Sequence, residues 1–238
     1  MSKQLTIFIF THRGSEHLIR GCVSNMRWVF PEARIVVADD QASPMTKLIM
    51  ARDVIYIRTE FARLGNLNGR ACILGELETF LEYSRPGDLI VKVDPDTIFV
   101  DRDYMRGLVF SGCLHAVVRT ASSIFGGYFY MLGRELVMRV LRAVQSLELD
   151  YRCGEDAVIG SLAYALVPKP AHYLIDNAAQ GGPSGSFDPK VPDWDKYWTD
   201  CINGAVALMT VSEPGMPQET ELKIQTFLLG KLRGGDHA

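Results

Sequence analysis

The sequence lacks the marks of several protein classes, and each absence narrows the function. No stretch approaches the roughly 18 apolar residues that a membrane-spanning helix needs, so we expect no integral membrane segment. The apolar run near the amino end is too short for a secretion signal and reads as a first strand, which points to a cytoplasmic protein. The five cysteines, Cys22, Cys72, Cys113, Cys153 and Cys201, contain no CxxC pair. That argues against structural zinc and for free thiols in a reducing compartment. The formal net charge is −3 and the pI about 6.0, which gives no broad basic surface for nucleic acid or anionic lipid. No GxGxxG follows the first apolar run and no GxxxxGK[ST] occurs, so the dinucleotide fingerprint and the P-loop are both absent. There is no internal repeat. At 47% hydrophobic and 22% charged, the composition is that of an ordinary globular chain.

What is present is an alternation of strand and helix patterns. Leu5–Phe10 reads as a strand. Ser15 is placed to cap a helix carrying Leu18, Ile19, Cys22, Met26 and Val29 on one face. Arg34–Ala38 and Val54–Ile57 read as further strands, with a short helix opening at Pro44 between them. Asn68 is placed to cap a helix that buries Ala71, Leu74, Leu77 and Leu81, and Arg85-Pro86-Gly87-Asp88 ends it. Leu89–Val93 is apolar except for Lys92, as at the centre of a parallel sheet. Beyond it come strands at His115–Arg119, Tyr128–Met131 and His172–Ile175, helices after Gly133 and at Glu155–Leu166, a glycine-rich loop at 181–186, and an amphipathic helix at Gln218–Leu232. This order predicts an α/β fold, a Rossmann-related α/β/α sandwich with a mostly parallel central sheet. It forms one domain over residues 1–233 with a frayed tail at 234–238.

In such sheets ligands bind beyond the carboxyl ends of the strands. Three polar clusters fall there: Thr11-His12-Arg13, Asp39-Asp40 and Asp94-Pro95-Asp96. Two aspartates after a buried strand suit a hard divalent cation, which takes oxygen ligands. Gly126-Gly127 precedes an aromatic strand and lets backbone approach a ligand closely. Gly154-Glu155-Asp156 sets two acids at a helix start, where the dipole favours carboxylates. Either acid is placed to take a proton from a hydroxyl.

The stretch Lys92-Val93-Asp94-Pro95-Asp96-Thr97-Ile98-Phe99-Val100 resembles the acidic signature of the fringe-type and β1,3-glycosyltransferases. The glycine-glycine-aromatic segment and the Glu155-Asp156 segment follow in that family's order, over about residues 68–166. The resemblance implies the GT-A fold, a UDP-sugar donor, an Mn²⁺ or Mg²⁺ cofactor, and inverting transfer to a carbohydrate or other hydroxyl acceptor. It implies that Asp96 binds the metal directly, that Asp94 holds the metal, its water or the ribose, and that Asp156, or else Glu155, is the base. Pro95 stands where the family has a third acid. Asp39-Asp40 is similar to the uracil-binding acid of the broader inverting GT-A enzymes. Thr11, Arg13 and Arg70 are candidate donor contacts, since Arg pairs well with phosphate. His172 is a candidate third metal ligand, and the 181–186 loop a candidate lid. Trp194, Tyr197 and Trp198 form either an acceptor platform or a helix packed on the core.

Three alternatives differ in chemistry. A haloacid-dehalogenase-type phosphatase wants its acidic motif on the first strand, with a threonine two residues beyond the second Asp; here Thr97 follows Asp96 directly. A sugar nucleotidyltransferase wants a basic glycine-rich loop after the first strand, of which Thr11-His12-Arg13-Gly14-Ser15 is a poor version. A non-catalytic nucleotide-sugar-binding relative would have no need of the acids that are all present here.

Overall fold

A computed structural model describes residues 4–47, 53–63, 69–111, 115–118, 126–148, 154–168, 172–175, 178–179, 193–203, 207–212 and 215–234. The chain runs β1 (Leu5–Thr11), a 3-10 turn (Arg13–Leu18), α1 (Ile19–Val29), β2 (Arg34–Asp39), β3 (Val54–Arg58), α2 (Arg70–Tyr83) and β4 (Leu89–Val93). It continues through β5 (Thr97–Phe99), α3 (Arg102–Phe110), β6 (His115–Val118), β7 (Gly126–Gly133), α4 (Arg134–Ser146) and α5 (Glu155–Leu166). The last elements are β8 (His172–Ile175), β9 (Ala178–Ala179), α6 (Trp194–Asn203), β10 (Leu208–Thr210) and α7 (Gln218–Gly234).

Seven strands form the main sheet in the order β3-β2-β1-β4-β7-β6-β8, and β5, β10 and β9 form a small second sheet. In the main sheet β7 runs against β4 and β6, and every other neighbouring pair is parallel. The strands are apolar because both faces are covered. Ile7, Ile9, Val91 and Val93 meet Cys22, Met26 and Met105 of α1 and α3 on one side. Phe8, Phe10, Ile90 and Tyr130 meet Ile73, Phe80, Val137 and Ile159 of α2, α4 and α5 on the other. Each such side chain contributes roughly 1.5–3 kcal/mol by leaving water, and edge-on contacts such as Phe8 against Phe80, 4.8 Å between ring centres, add direction to the packing. This is the expected α/β/α sandwich with a mostly parallel sheet. A third apolar cluster joins α6 and α7 to the small sheet through Tyr197, Cys201, Ile98, Met209, Ile224 and Leu228. Among the described residues, no helix is long and apolar enough to cross a membrane.

Several local expectations are corrected. The cap after β1 is His12, not Ser15: the His12 ring accepts from the Gly14 amide at 3.0 Å and Ser15 answers from the third position. A tight 3-10 turn therefore precedes α1. Residues 44–47 are not helical; there the Met45 amide donates to Asp39. In α2 the buried face is Cys72, Ile73, Glu76, Leu77 and Phe80, while Ala71 is exposed and Leu74 and Leu81 are half-buried. The face is rotated because a buried acid, Glu76, belongs to it. Asn68, Arg119, the 181–186 loop and the tail from 235 lie outside the described residues.

Candidate active site

The parallel strands β1 to β4 all end at one edge of the sheet. The antiparallel β7 begins there, and so does α5. The predicted clusters are thereby brought together by topology. Between β4 and β5 the chain turns through Asp94-Pro95-Asp96, closed by the Thr97 amide donating to the Asp94 carbonyl at 3.0 Å. The Tyr128 carbonyl fixes this turn twice, accepting from the Asp94 amide at 3.0 Å and from the Thr97 hydroxyl at 3.1 Å. It can do so because β7 is irregular here: the consecutive Val117 and Val118 lie opposite Tyr130 and Gly126. Bulges of this kind re-aim backbone groups beside functional sites. On the far side, Asn25 of α1 holds β5, accepting from the Phe99 amide at 2.7 Å and donating to its carbonyl at 3.1 Å.

Lys92 lies at the centre of this edge. Its side chain is 1% exposed, and its ammonium lies 2.7 Å from Asp94 Oδ1 and 3.2 Å from Glu155 Oε1. It also donates to the Gly127 carbonyl and sits 5.6 Å from the centre of the Tyr130 ring. Burial works against its charge, but Asp94, Glu155 and Glu76 together hold it above the ordinary lysine range. Burial raises the Glu155 carboxyl, with Lys92 opposing. Asp156 is only partly buried; its Oδ1 accepts from the Ala157 amide at 2.8 Å. Asp156 packs so closely on Gly127 that a Cβ there would lie 3.1 Å from its Oδ2. A side chain at position 127 would therefore have to push the acid aside.

Asp96 is partly exposed. Burial, then repulsion from Asp94, pushes its carboxyl up to about 7, with the Ser212 hydroxyl hydrogen-bonding it in the opposite sense. Two crowded carboxylates of this kind fit a divalent cation, whose charge would relieve the repulsion, and Mg²⁺ needs only one or two protein carboxylates beside phosphate and water. Among the described residues no three His, Cys, Asp or Glu side chains converge as a fuller metal cage. His172 opens β8 opposite His115; its side chain lies outside the described residues.

The two acids after β2 have different surroundings. Asp39 accepts from the Met45 amide at 3.0 Å and from the Tyr56 hydroxyl, and lies 3.6 Å from Arg58. Asp40 accepts from the Ala42 and Arg63 amides on one oxygen, at 3.0 and 3.1 Å. Its other oxygen is buried without a hydrogen-bond partner among the described residues. Arg63 is 7% exposed, and its Nε and Nη1 are likewise unpartnered. His12 faces this pair: burial and Arg63 keep its imidazole below the ordinary range, against the pull of Asp40, Asp94 and Asp39.

The remaining predicted residues lie less centrally. Thr11 is buried against Ser15 and Met45. Arg13 is exposed and donates to the Pro44 carbonyl at 3.3 Å, and Arg70 to that of Gln145 at 2.9 Å. Gly126 opens β7 opposite Val118. Trp194, Tyr197 and Trp198 pack into the α6–α7 core, with Trp194 and Phe227 rings 4.7 Å apart. Sequence reasoning missed Arg63 and Glu76 and gave His12 no role of its own. Arg63 carried no signal, being one arginine in a loop; His12 was visible only as a polar residue at a strand end.

No family model matches the chain, and no curated protein matches it in sequence. Solved structures do match in shape. The chain is similar to the galactosyltransferase LgtC, solved in complex with donor and acceptor sugar analogs, at a TM-score of 0.55 and 11% identity over 95% of both chains. It is similar to the glycosyltransferase GlyE of Streptococcus pneumoniae TIGR4 at a TM-score of 0.53 and 9% identity, over 99% of this chain and 64% of that one. It is similar to the bifunctional glycosyltransferase WbbM at 0.53 and 10%, over 90% of this chain and 46% of that one. The chain thus spans nearly all of LgtC but less than two thirds of GlyE and less than half of WbbM. At such low identity the likeness shows the fold alone, an α/β/α architecture shared with these glycosyltransferases.

Proposed function

We propose that the chain is a glycosyltransferase that moves a sugar from a nucleoside diphosphate, UDP, to an acceptor hydroxyl. One observation carries the reading. On a GT-A sheet, at the edge where ligands bind, the Asp94-Pro95-Asp96 turn and the Asp156-bearing start of α5 are held side by side through Gly127 and Lys92. Asp94 and Asp96 would hold Mn²⁺ or Mg²⁺, which when bound neutralises charge on the leaving diphosphate. Glu155 is engaged by Lys92, so Asp156 is the acid left free to act as base. It takes the proton of the acceptor hydroxyl; the acceptor oxygen bonds the anomeric carbon as the bond from that carbon to the diphosphate breaks, and UDP departs. Of the two acids after β2, Asp40 has the unclaimed oxygen and reads the uracil imide, with Arg63 supplying donors beside it.

The test is a thermal-shift titration with UDP, GDP and CDP, each with and without Mn²⁺, followed by donor-turnover assays. A ligand that binds only the folded state raises stability by about 2.7 kcal/mol at 100 times its Kd. UDP with Mn²⁺ is expected to give the largest shift. Asp96→Ala is expected to abolish the Mn²⁺-dependent part without lowering the melting temperature of the free protein. Asp156→Asn is expected to lower turnover by about 10²–10⁴-fold while leaving UDP binding intact. Proton NMR of the product tests the stereochemistry: inversion agrees with a base at Asp156, and retention removes it from that role. UDP binding without hydrolysis or transfer of any UDP-sugar would make the chain a binding relative of the fold.

A further inference from the structure

A lysine in the middle of a central strand is costly to bury, because its charge leaves water. Lys92 interrupts the otherwise apolar β4, and hydrophobic packing against Phe8 and Tyr130 would have accepted a leucine there. What the lysine adds is a positive charge carrying donors on one nitrogen. It forms an ion pair with Asp94 at 2.7 Å, in the turn after β4. One donor goes to Glu155 at 3.2 Å, in the first turn of α5. One goes to the Gly127 carbonyl at the start of β7, on the same glycine against which Asp156 is packed. The three partners belong to three segments that are distant in sequence, and these segments carry between them Asp94, Asp96, Glu155 and Asp156. Around the ammonium stand the carboxylates of Asp94 and Glu155, with the Tyr130 ring on one side and Glu76 behind it, hydrogen-bonded to the Tyr130 hydroxyl.

We infer that Lys92 is a positioning residue that locks the Asp94-Pro95-Asp96 turn, the start of β7 and the start of α5 into one unit, so that the cation-holding acids and the Asp156 base cannot move independently. The inference deepens the proposed function and rests on it for its meaning, but its geometry can be tested without activity. Two consequences follow. Loosening Asp94 loosens α5, and loosening α5 alters the demand for cation at the turn.

Amide hydrogen exchange reads the first consequence. The probes are the Asp94 and Thr97 amides, which bond Tyr128 and Asp94, and the Val158 amide, which bonds the Gly154 carbonyl. The control is the Asp40 amide, bonded to Thr11 in the same sheet edge. In Lys92→Met, all three probes are expected to exchange about tenfold faster or more while the control is unchanged, as local opening predicts. The charge-balanced variant Lys92→Met/Glu155→Gln removes one cation and one anion together and guards against a single variant that merely unfolds; the same three probes are expected to accelerate in it. Acceleration of the turn alone, of Val158 alone, or of probes and control alike in the double variant overturns the inference. The second consequence is read by titrating Mn²⁺ at fixed UDP: the Mn²⁺ needed for half-saturation is expected to rise about tenfold or more in both variants, and an unchanged requirement also overturns it. If the parent protein shows no Mn²⁺-dependent UDP binding, the proposed function fails, and the exchange measurement still decides the role of Lys92.

Discussion

Glu76 has no contact with solvent. One oxygen accepts from the Tyr130 hydroxyl, and the other has no hydrogen-bond partner among the described residues. Burial, then the neighbouring Glu155 charge, lifts its carboxyl from an ordinary 4.5 to about 8, against the pull of Lys92. The folded state therefore holds a proton that the unfolded chain releases between these two values. Its contribution to stability is present in full below 4.5 and is lost progressively as pH rises to about 8. Glu76→Gln keeps an acceptor for Tyr130 and cannot ionise. Compared with this variant, the parent's melting temperature is expected to fall as pH rises across that window, with the gap closing at the acid end; parallel pH profiles would show that Glu76 is already ionised in the fold. The sequence pattern assigned only Ala71, Leu74, Leu77 and Leu81 to the buried face of α2 and gave Glu76 no place. Only Tyr130, brought over from β7, explains why it lies inside. Lys92 was visible as a break in an apolar strand, but its pairing with Asp94, Glu155 and Gly127 was not.

The element that positions the acidic turn is β5, and it is three residues long. So short a strand has no readable period, and it was not legible in the sequence. It exists because β10 pairs with one edge and because Asn25 of α1 satisfies the Phe99 amide and carbonyl on the other. Asn25→Ala leaves both backbone groups unpaired in a buried place. The expected cost is about 2–4 kcal/mol, measured by urea denaturation, together with weaker Mn²⁺-dependent nucleotide binding as the turn loses its far support. An unchanged midpoint would mean that β10 alone holds β5. Helix α2 shows the same limit at its start: Gly69, with φ of 81°, precedes it without a side-chain cap. The long elements β1, β2, β4 and α5 were legible with their ends nearly in place, because each repeats its pattern over enough residues.

At the scale of the molecule, α7 braces the amino-terminal strand end from far along the chain. Gln225, 1% exposed, donates to the Leu18 carbonyl at 2.9 Å, and Glu221 meets His17 at 2.7 Å. The fit requires Gly21, since a Cβ there would lie 2.1 Å from the Gln225 side-chain oxygen. Gly21→Ala is expected to cost roughly 1–3 kcal/mol by overpacking and to speed proteolysis within α7. Adding Gln225→Ala, which opens the space, is expected to recover part of that loss; no recovery would place the strain elsewhere. Likeness to LgtC, GlyE and WbbM at 9–11% identity shows how little of this architecture depends on residue identity. It depends on which positions are apolar, in what period, and on crossovers such as α1 and α2 that return the chain so that successive strands run parallel.

Sequence by itself determined the succession of strands and helices and the position of the acids at strand and helix ends, because hydrophobic period and chain order are local properties. The tertiary structure alone decided which acids are engaged and which are free: Asp39 against Asp40, and Glu155 against Asp156. It also decided that one buried ammonium joins three distant segments. Those outcomes turn on partners at separations that no local period encodes, from Met45 beside Asp39 to Lys92 beside Glu155, and a carboxylate's freedom is set by what stands within about 3–4 Å of it in space.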